Sequence, residues 1–73
     1  MIPLFKNTEE ALKYGASIAG NAEALAELKA ERARLVLEGR KLQEAEDWAG
    51  ALALASGQSQ FTREALEAAG LKG

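Results

Sequence analysis

The 73-residue chain contains no cysteine and no histidine. Without cysteine no disulfide can staple so small a domain, and without either residue the ordinary zinc sites are excluded. The di-iron sites of helical bundles, which need a Glu-x-x-His spacing, are excluded with them. The commonest general base and the commonest soft nucleophile are also missing. Ser17, Ser56 and Ser59 have no base beside them in the sequence that would make any of them a nucleophile. Glu44, Glu46 and Asp47 form an acidic cluster, which reads as a solvated helix face rather than a cation site. No catalytic residue, no cofactor and no metal site is expected, and the chain is not expected to be an enzyme.

Proline occurs once, valine once and isoleucine twice, so strands have little support. No apolar run approaches the roughly 20 residues of a membrane span. Met1-Ile2-Pro3-Leu4-Phe5 is apolar but lacks the basic start and long core of a signal peptide. The net charge is −2, so neither a nucleic acid nor a membrane surface is called for by overall charge. A soluble, cytoplasmic protein is the expectation.

What the sequence does have is helix-forming residues. Sixteen alanines stand beside leucine, glutamate, lysine and arginine, the residues with the best helix propensity. An all-α fold follows: one small domain over residues 1–73, built as a helical hairpin or bundle. Residues 1–6 are an apolar arm, in which Pro3 disfavours helix for Ile2. Ile2, Leu4 and Phe5 must either fold back on their own core or dock on a neighbouring molecule.

A first helix over about residues 8–19 is predicted by Asn7 as N-cap, with Glu10 at the capping-box spacing and Glu9 also suiting the helix dipole. Gly15, Ala16, Ala19 and Gly20 make a small-residue face that another helix could approach closely. Gly20-Asn21 is a break: a glycine past one helix, then an asparagine capping the next.

The central helix starts near Ala22. Positions 25, 28, 32, 35, 39 and 42 alternate steps of three and four, a heptad seam. Leu25, Leu28, Leu35 and Leu42 sit on it, while Arg32 and Gly39 are poor seam residues. Arg34 with Glu38 and Arg40 with Glu44 have ion-pair spacing on the other face. Nothing from 22 to 55 stops a helix outright. The favoured expectation is one long helix, straight or kinked near Gly39, and the alternative is a break near Asp47 with Trp48 opening a new helix. Ser56 to Gln60 reads as a loop, and Thr62 as the cap of a last helix over 62–69, with Phe61 and Leu66 at hydrophobic-staple spacing and Leu66 again meeting Leu71 beyond Gly70.

Two local patterns bear on function. Residues 49–71 have a helix-turn-helix look, with Ala53 four residues before Gly57, and Gln60, Thr62, Arg63 and Glu67 on the second helix. Leu35, Gly39, Leu42, Trp48 and Ala51 resemble the spacing of one tetratricopeptide-type helix pair, but Glu38, Ala55 and Arg63 depart from it and membership is not claimed. The leading expectation is a helical interaction or adaptor protein that self-associates, as a dimer first, and binds a protein partner. Its interface is expected at Leu25, Leu28, Leu35, Val36, Leu37, Leu42 and Trp48, with Ile2, Leu4 and Phe5 of the arm. The zone around Leu35, Val36, Leu37 and Leu42 is expected to be underfilled by the chain itself. The alternative is a small DNA-binding regulator using residues 49–71, although nucleic acid is disfavoured by charge.

Overall fold

A computed structural model describes residues 2–70. Among them are four helices and no strand: α1 (Thr8–Ser17), α2 (Ala22–Glu44), α3 (Trp48–Ala55) and α4 (Gln58–Ala68). The all-α fold with a long helix at its centre is as the composition predicts.

Each of the first three helices starts on a side-chain cap. Asn7 Oδ1 accepts from the Glu10 backbone N–H at 2.9 Å, and Glu10 Oε1 reaches back to accept from Lys6 N–H at 3.2 Å. Asn21 Oδ1 accepts from Ala24 N–H at 3.2 Å, after Gly20 has turned the chain at φ +84°. Both halves of the expected Gly20-Asn21 break are present. Asp47 Oδ1 accepts from Gly50 N–H at 2.9 Å and so starts α3.

The break between α2 and α3 is the second of the two expected alternatives, and the continuous helix to residue 55 is corrected. The end of α2 is a complete Schellman motif. Glu46 N–H bonds Gln43 C=O at 3.0 Å, and Asp47 N–H bonds Leu42 C=O at 2.8 Å. The residue in the left-handed conformation is Glu46, at φ 59°, where glycine is usual. The chain then doubles back, and α3 packs on the C-terminal half of α2 as a short helical hairpin. Gly39 faces this packing, and a side-chain carbon there would stand 3.7 Å from Leu54 Cδ2, an ordinary contact.

The last helix also starts earlier than expected. Only Ser56 and Gly57 separate α3 from α4, which begins at Gln58 without a side-chain cap. Its first turn is tied down from outside instead. Gln58 Nε2 donates to Phe5 C=O at 2.6 Å and Gln58 Oε1 accepts from Phe5 N–H at 3.3 Å. Arg32 Nη1 donates to Ser59 C=O at 2.7 Å and to Ser59 Oγ at 3.0 Å. Thr62, expected as a cap, is a buried interior residue whose hydroxyl donates to Ser59 C=O at 3.0 Å. Gly70 closes the helix at φ +91°, and the expected contact with Leu71 lies outside the described residues.

Helix α4 stands between α1 and α2 and packs on both. Close approach to α1 depends on Gly15, which lies directly against the Ala65 carbonyl. The core joins Phe5, Ala11, Ile18, Leu28, Ala65 and Leu66. Of the small-residue face predicted on α1, only Gly15 is buried; Ala16, Ala19 and Gly20 are exposed.

Candidate interaction surface

The heptad seam of α2 is the inward face of the helix. Leu28 and Leu35 are buried, and Leu25, Arg32, Gly39 and Leu42 are half-buried. Of its two poor residues Arg32 has a tertiary reason, since it reaches Ser59, while at Gly39 a Cβ would meet only Leu54, at an ordinary contact distance. The leucine ridge is therefore largely covered by α3 and α4 of the same chain. Leu28 and Leu35, expected at an interface with another molecule, belong to the chain's own interior, and Leu25 and Leu42 are mostly spent there as well.

The arm folds back on its own chain. Phe5 is buried, with its ring centroid 5.4 Å from that of Tyr14, and Ile2 packs at the margin of the core. Phe5 is thus withdrawn from the expected interface, and of Ile2, Leu4 and Phe5 only Leu4 is exposed, at 81%. Ile2, Pro3 and Leu4 roof a cavity of about 60 Å³ over Leu35 and Thr62. That is far below the roughly 300 Å³ at which small-molecule pockets begin.

What the chain leaves bare is α3. Its sequence, Trp-Ala-Gly-Ala-Leu-Ala-Leu-Ala, has no polar side chain, yet none of its residues is fully buried. Ala51 and Leu54 face α2 and are half-buried, while Trp48 is 64% and Leu52 69% exposed on the outer side, one turn apart. A helix that is apolar all round is ordinarily enclosed. Val36 is exposed as well, on the α2 side of an open groove of about 280 Å³ between α2 and α3. Gly39 and Ala51 lie in its floor, and Arg40 is the one charged residue lining it. Leu37 is exposed at 57% but lies among Arg34, Glu38 and Lys41, away from this groove.

No family model matches the chain, and neither does a curated protein or a solved structure.

Charge around the hairpin is divided by position. Arg34 is satisfied within α2: it pairs with Glu31 and with Glu38, the latter at 3.1 Å, and the Glu31 contact above all holds its guanidinium pKa above the ordinary value. Arg40 and Glu44, expected to pair, do not do so among the described residues. Glu44, Glu46 and Asp47 crowd the hairpin tip, all exposed. Among the described residues no group of three or more acidic side chains is arranged to hold a metal ion.

On α4, the proposed DNA-reading residues are mostly occupied. Gln60 Nε2 donates to Glu64 Oε1 at 2.7 Å, Thr62 is buried, and Arg63 is offset by Glu67 at 3.9 Å. The Glu64 carboxyl is held below its ordinary pKa, first by the Gln60 amide and then by the Thr8 hydroxyl at the start of α1. No helix among the described residues is long and apolar enough to cross a membrane.

Proposed function

We propose that the chain is a non-enzymatic helical interaction protein that docks through the outer face of α3 and the groove beside it. It associates with further copies of itself and with a protein partner. The observation that carries this is the exposure of Trp48 and Leu52 on a helix with no polar side chain. Contiguous apolar surface of this kind, rimmed by charge, marks interaction sites in soluble proteins. Tryptophan is also the residue most enriched where interfaces concentrate their binding energy.

Self-association was expected from the leucine ridge of α2, and that support is withdrawn because the ridge is covered within the chain. It rests now on α3. The DNA-binding alternative gains nothing: α4 is packed on two sides, and its outward Arg63 faces an acidic neighbour. Counterion release, the main source of non-specific affinity, would be slight.

The test is the double exchange Trp48→Gln and Leu52→Gln. Both side chains are exposed, so the helical circular dichroism and the urea midpoint of the isolated chain should hold. Association with itself, and retention of any protein that co-purifies from the source cells, should be lost together. Unchanged association in the folded double variant would overturn the proposal.

A further inference from the structure

The geometry points to a second copy of this chain as the occupant of the α2–α3 groove, with the two hairpins packed face to face about a two-fold axis and the acidic tip of each set against Arg40 of the other. This rests on the proposal that α3 is a docking surface, and it identifies what docks there.

The groove states what it would accept. Its walls mix apolar residues, Val36 and Ala55 among them, with the polar Gln43 and Ser59, and its one charge is Arg40. A suitable ligand is therefore a helix with small and apolar side chains that carries carboxylates beside it. The chain carries such a helix itself: α3, immediately preceded by Glu44, Glu46 and Asp47. Both halves of a complementary pair stand on one molecule, as a two-fold interface requires, where one patch must complement itself.

The unpaired charges fit the same arrangement. Arg40 and Glu44 are one helical turn apart, which would suit a pair within the chain, yet they make none among the described residues. Two of the tip carboxylates sit where the local structure does not favour them. Glu44 is the last residue of α2, at the negative end of its dipole, where a cation is preferred. Glu46 occupies a left-handed position at φ 59° that glycine would fill without strain. Charges placed against local preference gain a reason if they meet Arg40 of another copy. Apolar contact between the α3 faces would supply the affinity, and the charges would fix the orientation.

The test is a charge exchange read by light scattering during size-exclusion chromatography, from 5 to 500 µM in outline (about a hundredfold span, enough to bracket a weak homodimer). The unaltered chain should shift from monomer to dimer across that range. Arg40→Glu alone, and Glu44→Arg with Glu46→Arg alone, should each weaken dimerisation at least about tenfold, because each sets like charges together. Mixed in equal amounts, the two variants should form a heterodimer of roughly the original affinity. Circular dichroism checks that each variant is folded, and all three altered positions are exposed.

If the mixture dimerises no better than its components, or Arg40→Glu dimerises like the original, the orientation is wrong. If the unaltered chain is monomeric throughout, a second copy is not the occupant. That last result leaves the docking surface itself to be judged by whether the Trp48 and Leu52 exchange releases a co-purifying partner.

Discussion

Two glycines in the helices of this protein should respond to the same substitution in opposite directions. Gly15 lies in α1 and Gly39 in α2, both at ordinary helical positions, so alanine at either should gain about 1 kcal/mol of helix propensity. The surroundings decide what happens next. At Gly15 a Cβ would fall inside the van der Waals envelope of the Ala65 carbonyl oxygen and stand 2.9 Å from Ala68 Cβ. The obstacle is the backbone of α4, which cannot rotate out of the way as a side chain end can. Helices α1 and α4 would have to separate, loosening Ala11, Ile18, Ala65 and Leu66 together. Overpacking of this kind costs about 1–3 kcal/mol, and a clash with main chain belongs at the upper end, so the net loss is about 2 kcal/mol. At Gly39 the nearest atom is Leu54 Cδ2 at 3.7 Å, an ordinary contact. Nothing offsets the propensity there, and Gly39→Ala should stabilise by up to about 1 kcal/mol. For a domain of this size the melting temperature should fall by roughly 8–16 °C at position 15 and rise by up to roughly 4–8 °C at position 39. Thermal and urea unfolding followed by circular dichroism, at one fixed protein concentration, would read both. If Gly15→Ala were neutral or stabilising, the close crossing of α1 and α4 would not exist as described.

The arm should be releasable on its own: Gln58→Ala removes both bonds to Phe5 and should cost about 1–2 kcal/mol, with faster protease cleavage before residue 7 while α2 stays protected. Equal protection in the variant would mean that Phe5 packing alone holds the arm. Glu46→Gly should raise monomer stability by about 1 kcal/mol by relieving a left-handed glutamate, and a loss of stability in urea would contradict that account. Acid should act through Glu64, whose folded pKa is lowered, so its contribution is complete above the ordinary value of 4.5 and is lost as pH falls through the lower folded one. The stability difference between the original chain and Gln60→Ala should accordingly shrink on acidification below that range; a difference that is constant with pH would remove Glu64 as its source.

Where the sequence carries a physical signal at one site, the structure can be anticipated from it. Asn7 and Asn21 are legible as caps because an N-cap needs only its own oxygen and a backbone three residues on. The seam of α2 is legible because burial repeats at helical period. The hairpin break is hard to see in the sequence because its usual mark, a glycine in the left-handed position, is replaced by Glu46. The cap that starts α3, Asp47 bonding Gly50, shows only in the structure. The start of α4 could not be seen locally at all. It is fixed by Phe5 and Arg32, one 53 and the other 27 residues away from its first turn. The burial of Leu28 and Leu35 within the chain is invisible in the sequence for a related reason. Periodicity identifies which side of α2 is apolar, but whether that side meets solvent depends on where α3 and α4 fold back.

The exposed face of α3 is better understood by comparison with the solvent side of α2 in the same molecule. That side carries Arg34, Glu38 and Lys41 around Leu37, with Glu31 and Glu38 paired to Arg34. The chain thus uses charge to keep helix surface in water where nothing else is required of it. Helix α3 needs an apolar inner side for Ala51 and Leu54, but its fold places no such demand on Ala49, Leu52 or Ala53, which are exposed. If those positions serve only the monomer, they should accept charge. Ala49→Lys, Leu52→Lys and Ala53→Glu together keep good helix formers at each site and touch no core residue, so the unfolding free energy from urea titration should stay within the roughly 0.5 kcal/mol per site typical of neutral surface changes. Association should nevertheless disappear. A triple variant that unfolds would mean the outer face of α3 is needed by the monomer. One that stays folded and still associates would mean that this face is not where the molecules meet.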